Sequence, residues 1–306
     1  MTKPTRPADY PNRIVYMVSH FGQLALRPLQ YMRRNPELVV GVLLLASLLI
    51  FWAAGSLFWD TAKYSPLSVR ANQSPAPKYP LGTDRQGRDL LAVMIVGTPL
   101  TLKIGLVAGL LGVGIGTVLA FVAAYYGGII DTVIKGIVDV GLTIPSLLVL
   151  IMIAVSIKEG LTVDQMALVV ACTAWLWPTR TIRSQVLSLR ERAYVEVARL
   201  SGMSGLEIII KELMPNLLPY LAASLVNSVS SAILASIGLE AMGLGPMSSP
   251  TLGMTIYWVI YYSALLHGMW WWWAPPIVII VILFLGLFLL SMGLDEIANP
   301  RLRRVV

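Results

Sequence analysis

Six stretches of this chain are apolar for nearly long enough, or long enough, to cross a lipid bilayer, and no other feature limits the fold so much. A spanning helix needs roughly 20 mostly apolar residues. The stretches 38–59, 100–126, 134–157, 163–179, 217–240 and 270–293 meet or approach that length. Inside hydrocarbon each backbone N–H and C=O needs a partner, which helices supply within one segment. Composition agrees, with 57% of residues hydrophobic and only 13% charged, where soluble domains carry about a quarter charged. The expected fold class is an all-α membrane protein with six transmembrane helices.

Lysine and arginine placement sets the orientation. With the N-terminus inside, cytoplasmic segments hold sixteen of these residues and outer segments seven, predicting N-in and C-in. The net charge of +7 flanks apolar runs and does not form a soluble basic face, so it argues against a nucleic-acid partner. The opening MTKPTRPADYPNR has no apolar core or small-residue cleavage site, unlike a cleaved signal peptide. A single cysteine, Cys172, excludes an intramolecular disulfide, and two histidines, His20 and His267, give no metal-ligand cluster.

Charge within the spans is scarce. Lys135 and Asp139 are expected to pair at i,i+4, and Glu240 to end the fifth span where water reaches it. A proton- or sodium-driven carrier usually needs a ladder of buried carboxylates, which is missing. The energy source is therefore expected outside this chain. Gly105, Gly109, Gly112 and Gly116 form small-residue pairs that allow close helix packing. Pro145 should kink the third span, and Pro178 should end the fourth.

A polar island at about 179–216 interrupts the apolar pattern, with five arginines, one lysine and four glutamates. Its segment LSLRERAYVEVARLSG reads as a helix with Leu187, Tyr194, Val197, Ala198 and Leu200 on its apolar face. Gly202 should end that helix in the left-handed conformation. Ser204 and Glu207 then have the spacing of a capping box. The following helix should expose Leu206, Ile209, Ile210 and Leu213 before Pro215 stops it. Such a helix pair either lies on the inner leaflet or plugs a groove on a cytoplasmic partner.

Glu196-Val197-Ala198, followed by Gly202 and Pro215, resembles the EAA loop of bacterial ABC importer permeases. Val197 replaces the middle alanine, and Glu212 stands where many members carry isoleucine. Further segments resemble the same family in the same order: PLGTDRQGRDLL, YYGGIIDTVIKGIVDVGLTIPSLL, QVLSLRERAYVEVARLSGMS, MPNLLP, GLGPMSSPTLGM and GLDEIANPRLRR. Together they resemble the C-type permease of the dipeptide/oligopeptide/nickel importers. The resemblance implies a type I ABC importer permease fold in a bacterial or archaeal plasma membrane. It implies a cytoplasmic segment 1–37, a peripheral helix 38–59, an extracytoplasmic loop 60–95, a transport core 96–293 with its coupling loop at about 180–215, and a cytoplasmic tail 294–306.

The partners so implied are a B-type permease, two cytoplasmic ATPases and an extracytoplasmic solute-binding protein. ATP and Mg2+ belong to the ATPases. This chain has no GxxxxGK[ST] motif, so it should bind no nucleotide and hold no cofactor of its own. Glu196, Ala198, Gly202, Ser204, Leu206, Glu207, Ile210 and Pro215 are the residues expected to couple it to the ATPases. The competing readings are an ATP-independent channel or secondary carrier, and a membrane anchor for another assembly.

The family transports peptides, nickel and in some branches oligosaccharides, and nickel fits least because His267 is the only outer imidazole. Four tryptophans in HGMWWWWAPP suit a membrane-interface belt. Consecutive helical residues point about 100° apart, so at least one should face the bundle or the binding-protein dock. Tyr257, Trp258, Tyr261, Trp270 and Trp271 are the candidates for a substrate path or a binding-protein dock. Aromatic faces stack on sugars and on peptide side chains alike, leaving oligopeptide and oligosaccharide both open. The outer segment near 60–90 should be irregular, with Asp84, Arg85, Arg88 and Asp89 forming local charge pairs that anchor it.

Overall fold

Asp89 opens a 37-residue helix, α2 (Leu90–Tyr126), by accepting a hydrogen bond from the Leu91 amide at 3.1 Å. This helix is the post on which the rest of the computed structural model, describing residues 35–157 and 160–298, is assembled. At 1.5 Å per residue it is about 55 Å long, well beyond the hydrocarbon thickness. The expected span at 100–126 is its second part. The first part holds Pro99 and buries Leu90, Val93, Met94 and Ile95 among protein neighbours. Lys158, the segment 1–34 and the end of the tail at 299–306 lie outside the described residues.

Five of the six glycines of α2 are points of close approach to the rest of the chain, and Gly114 alone faces open space among the described residues. A Cβ on Gly97 would stand 2.0 Å from the Pro250 carbonyl oxygen, and one on Gly109 would stand 2.9 Å from the Val229 amide nitrogen. Gly112 and Gly116 press on backbone at Ala174 and Thr179 in the same way. In lipid no hydrophobic effect draws helices together, so close backbone approach supplies the packing energy.

The preceding helix, α1 (Pro36–Phe58), buries only Gly41 and Leu48 and lies along the last helix, α11 (Trp270–Ala298). Between α1 and α2 the chain makes an irregular loop with one 3-10 turn at Thr61–Tyr64. After α2 come α3 (Gly128–Thr143) and α4 (Ser146–Ser156), bent by 84° at the Ile144–Pro145 break. Proline disfavours helical backbone in the residue before it, and Ile144 is extended accordingly.

The expected fourth span is two helices, α5 (Val163–Ala174) and α6 (Leu176–Arg190), meeting at Trp175. Pro178 sits in the first turn of α6, where the missing N–H has no helical partner to lose. It therefore begins a helix instead of ending one. After α6 follow α7 (Ala193–Leu200) and α8 (Gly205–Ile208), a π turn at Ile209–Leu213, and α9 (Met214–Ala241). Pro215 does not stop the chain. It falls at the start of α9, and 205–241 is one continuous apolar helical run of 37 residues. A short helix not anticipated as an element, α10 (Leu252–Tyr261), precedes α11.

By length and composition, four helical runs among the described residues can cross a membrane, and the bent α3–α4 pair makes a fifth if taken as one broken span. The 12-residue α5 is too short to be counted alone.

Three charge expectations change. Lys135 and Asp139 form no ion pair among the described residues; Asp131 pairs with Arg183 of α6, through Nε and Nη2. A guanidinium fork matches both carboxylate oxygens at once, which an ammonium cannot do. Glu240 is fully buried, and its Oε2 accepts the Thr251 hydroxyl at 2.6 Å. The start of α10 closes over it, with Gly253 so near that a Cβ there would meet Glu240 Oε2 at 2.2 Å. In the outer loop the expected Asp84–Arg88 pair exists, buried, at 2.6 Å. Asp89 instead caps α2 and accepts the Trp59 indole N–H at 2.7 Å, and Arg85 stacks over Tyr262. Burial pushes the Asp89 carboxyl above its ordinary value, opposed by the hydrogen bonds it accepts from Trp59 and Leu91.

Candidate functional site

The α7–α8 pair occupies the end of the bundle where α2 and α6 finish. Gly202, at φ +82°, turns the chain between its two helices. The Met203 amide bonds to the Ala198 carbonyl at 3.2 Å and the Gly202 amide to the Arg199 carbonyl at 3.1 Å. This pair of bonds is the Schellman termination, which needs a left-handed residue at the position of Gly202. The next helix starts at once: Ser204 Oγ accepts the Glu207 amide at 3.4 Å and Glu207 Oε2 accepts the Ser204 amide at 3.1 Å. Lys211 adds an ion pair to Glu207 at 3.1 Å. The expected glycine stop and capping box are both present.

The pair is seated on the bundle by a face that sequence reading only partly identified. Val195, Ala198, Ile208, Ile209 and Leu213 are buried with Phe121, Ala124, Ile182 and Val186. Ile209 and Leu213, expected to be exposed, belong to this seat, because the π turn rotates them inward. Val195 was not singled out beforehand. Gly205 rests on Tyr125, where a Cβ would meet the ring at 2.7 Å. Arg190 Nη1 donates to the Ala124 carbonyl at 2.9 Å and to the Tyr125 carbonyl at 3.3 Å, capping the orphan carbonyls at the end of α2. Burial pushes the Tyr194 phenol above its ordinary value, with Arg192 opposing and Glu212 adding to the shift.

What remains outward mixes apolar side chains with charged ones, among them Glu196, Arg199 and Lys211. Val197, Leu200, Leu206 and Ile210 are all more than half exposed, with Leu200 at 83%. Glu196 also points outward, and its side chain forms no ion pair among the described residues. Pro215 is exposed at the foot of α9.

A cavity of about 550 Å³ opens in the middle of the bundle, beside the Pro145 break. One wall is a stripe on α9: Tyr220, Ser224, Asn227, Ser228 and Ser231. Thr173 and Thr181 face it from α5 and α6, and Asp295 of α11 is its only lining carboxylate among the described residues. Asn227 Oδ1 accepts the Ser291 hydroxyl at 3.0 Å, tying the stripe to α11. None of this was singled out from sequence, where scattered serines at helical spacing carry little signal.

The five outer aromatics lie elsewhere, and none lines the cavity. Tyr257, Trp258 and Tyr261 form an aromatic cluster with Tyr262, with ring centroids 4.8 to 5.9 Å apart. Trp271 packs on Gly82 of the outer loop, and Trp270 is 56% exposed. Trp272 is fully buried, the first of the two placements that the spacing of consecutive tryptophans left open.

Residues 112–304, which include the α7–α8 pair and the whole cavity lining, match the model of the binding-protein-dependent transport system inner membrane component. The chain belongs to this family. It is 30% identical over 204 residues to the oligopeptide transport system permease protein OppC of Mycobacterium bovis, covering 66% of this chain and 70% of that one. It is 29% identical over 273 residues to the dipeptide transport system permease protein DppC of Bacillus subtilis, covering 89% and 84%. Among solved structures, an inward-facing form of the MetNI methionine ABC transporter matches with a TM-score of 0.55 at 22% identity, covering 70% of this chain and 98% of that one. That likeness shows the importer permease fold. This inner membrane component is thus a multi-pass translocation subunit of a binding-protein-dependent importer and not itself an enzyme.

Proposed function

We propose that this permease carries oligopeptides, that it pairs with a B-type permease in a bacterial or archaeal plasma membrane, and that α7–α8 docks it to one of two cytoplasmic ATPases. ATP and Mg2+ are then bound by the ATPases, and an extracytoplasmic protein delivers the solute. The observation that carries the docking role is the exposed face of Val197, Leu200, Leu206 and Ile210 on a turn held by Gly202 and the Ser204–Glu207 box. A rigid termination that holds four apolar side chains outside the bundle suits a surface of fixed shape better than a fluid leaflet. Helix-in-groove recognition needs that combination.

The peptide assignment is supported by relatives named for oligopeptide and dipeptide transport. The cavity fits it chemically. Hydroxyls and an amide can exchange hydrogen bonds with a peptide backbone of any sequence, and Asp295 can attract an amino-terminal ammonium. The oligosaccharide alternative rested on outer aromatics, which pack against one another and against the outer loop.

The test is to purify the permease pair with its ATPases and binding protein and to measure uptake into vesicles. Labelled peptides should enter with ATP consumption and oligosaccharides should not. ATPases that fail to co-purify would overturn the docking role, and saccharide uptake without peptide uptake would overturn the substrate.

A further inference from the structure

We propose that the pocket between α3 and α6 holds the phosphodiester headgroup of an anionic phospholipid. The pocket is distinct from the central cavity, encloses about 380 Å³, and is lined by Lys135, Asp139, Arg180, Arg183 and Ser184 among others. The proposal rests on the membrane placement of the chain and not on the peptide reading.

Charge decides the class of ligand. Arg183 gives Nε and Nη2 to Asp131, so that pair is neutral together. Lys135 and Arg180 have no ion-pair partner among the described residues, and Asp139 alone stands against them. The pocket therefore carries one uncompensated positive charge. A phosphodiester bears a single negative charge and balances it. A zwitterionic headgroup leaves the positive charge in place, and a phosphate monoester, at about −1.5 to −2, exceeds it.

The remaining polar groups narrow the headgroup further. Ser184 donates its hydroxyl proton to the Thr181 carbonyl at 2.7 Å, leaving its oxygen as an acceptor. The Asp139 carboxylate is also an acceptor. Hydroxyl donors suit both, and the glycerol of phosphatidylglycerol supplies them.

Position agrees with a lipid source. On α6, Trp177 is 64% exposed one turn before Arg180, and tryptophan favours the bilayer interface. On α3, Ile134 and Val138 line the pocket with Lys135 and offer the first acyl methylenes an apolar contact. Basic pockets between helices at this depth attract anionic headgroups.

The experiment uses the assembled transporter, released from lipid into detergent, with phosphatidylglycerol or phosphatidylcholine added back and bound lipid counted by native mass spectrometry. Lys135→Gln and Arg180→Gln alter exposed side chains without partners, so both should fold. Each should lower phosphatidylglycerol retention about fivefold, and the double variant about 25-fold. Phosphatidylcholine retention, and Lys103→Gln at the other end of the bundle, should show no change. Phosphatidylglycerol should raise the thermal midpoint of the wild type and not that of the double variant. Equal retention by wild type and double variant overturns the proposal. Displacement by millimolar inorganic phosphate overturns it in favour of a soluble phosphate site. Retention by the isolated subunit but not by the assembled transporter overturns it in favour of a pocket covered by the partner permease.

Discussion

Replacing Gly202 isolates one physical quantity, the left-handed backbone at the α7–α8 turn. Its φ is +82°, and no atom lies within 4 Å of the place a Cβ would occupy. A side chain there meets open space, so the whole penalty is conformational. Strained backbone of this kind raises the free energy by about 1–3 kcal/mol, with β-branched residues at the upper end. The strain is relieved by giving up the two Schellman bonds at Ala198 and Arg199 and letting α8 swing away from α7. If the relaxed turn is the state that docks poorly, 1–3 kcal/mol lowers the docking-competent population by about 5–150-fold.

Gly202→Asn should be mild because asparagine tolerates left-handed backbone, Gly202→Ala intermediate, and Gly202→Val severe. The readout is ATPase affinity for the reconstituted permease pair, together with transport and binding-protein-stimulated hydrolysis. A steric control lies three residues on. Gly205→Ala should damage the seat by collision with Tyr125, and Tyr125→Leu should partly restore it, whereas it should do nothing for Gly202→Val. Equal damage by Asn and Val at Gly202, or normal coupling in Gly202→Val, would refute the reasoning.

Removing Asp84 leaves Arg88 charged and buried, so Asp84→Ala should destabilise the outer loop by about 3–5 kcal/mol; the thermal midpoint should fall while peptide selectivity stays, and the reverse pattern would contradict an anchoring role. Arg190→Met keeps the apolar stem but uncaps α2, and hydrogen exchange at 123–126 should accelerate with a drop in ATPase coupling; unchanged exchange would mean the contact carries no stability. Asp295→Asn should slow uptake of peptides with a free amino terminus several-fold and leave amino-acetylated peptides unaffected, so an equal effect on both would remove Asp295 from substrate recognition.

The parts of this structure legible in sequence are those written in adjacent residues. Gly202 after an amphipathic helix, with Ser204 and Glu207 three apart, specifies a termination and a new start within six positions, and both formed as read. The helix-facing glycines of α2 were legible for the same reason. What escaped depended on distant partners. Asp131 and Arg183 are 52 residues apart, and the i,i+4 rule pointed to Lys135–Asp139, a pair that does not form among the described residues. Glu240 was placed in water because it ends an apolar run; only the return of Thr251 and Gly253 over it makes the site dry. The central cavity draws its walls from α3, α4, α5, α6 and α9 and its carboxylate from α11, so no local pattern could reveal it.

The error at Pro215 bears most on mechanism. A stop there would make the docking helix a separate piece, joined to the membrane by a flexible link. Instead α8, the π turn and α9 are one helical run from Gly205 to Ala241. Leu206 on the exposed face and Asn227 on the cavity wall are then joined by about 32 Å of helix. Along that length, the places where the regular hydrogen-bond ladder is altered are the π turn at Ile209–Leu213 and the two prolines, Pro215 and Pro219. All three lie on the docking side of Tyr220, where the cavity stripe begins. The stripe itself is unbroken α-helix, so a displacement that passes the π turn moves Tyr220, Ser224, Asn227 and Ser231 as a unit. Irregularity is thus confined to the seat, which the proposed docking role would need to be adaptable, and regularity is kept along the cavity-lining stripe.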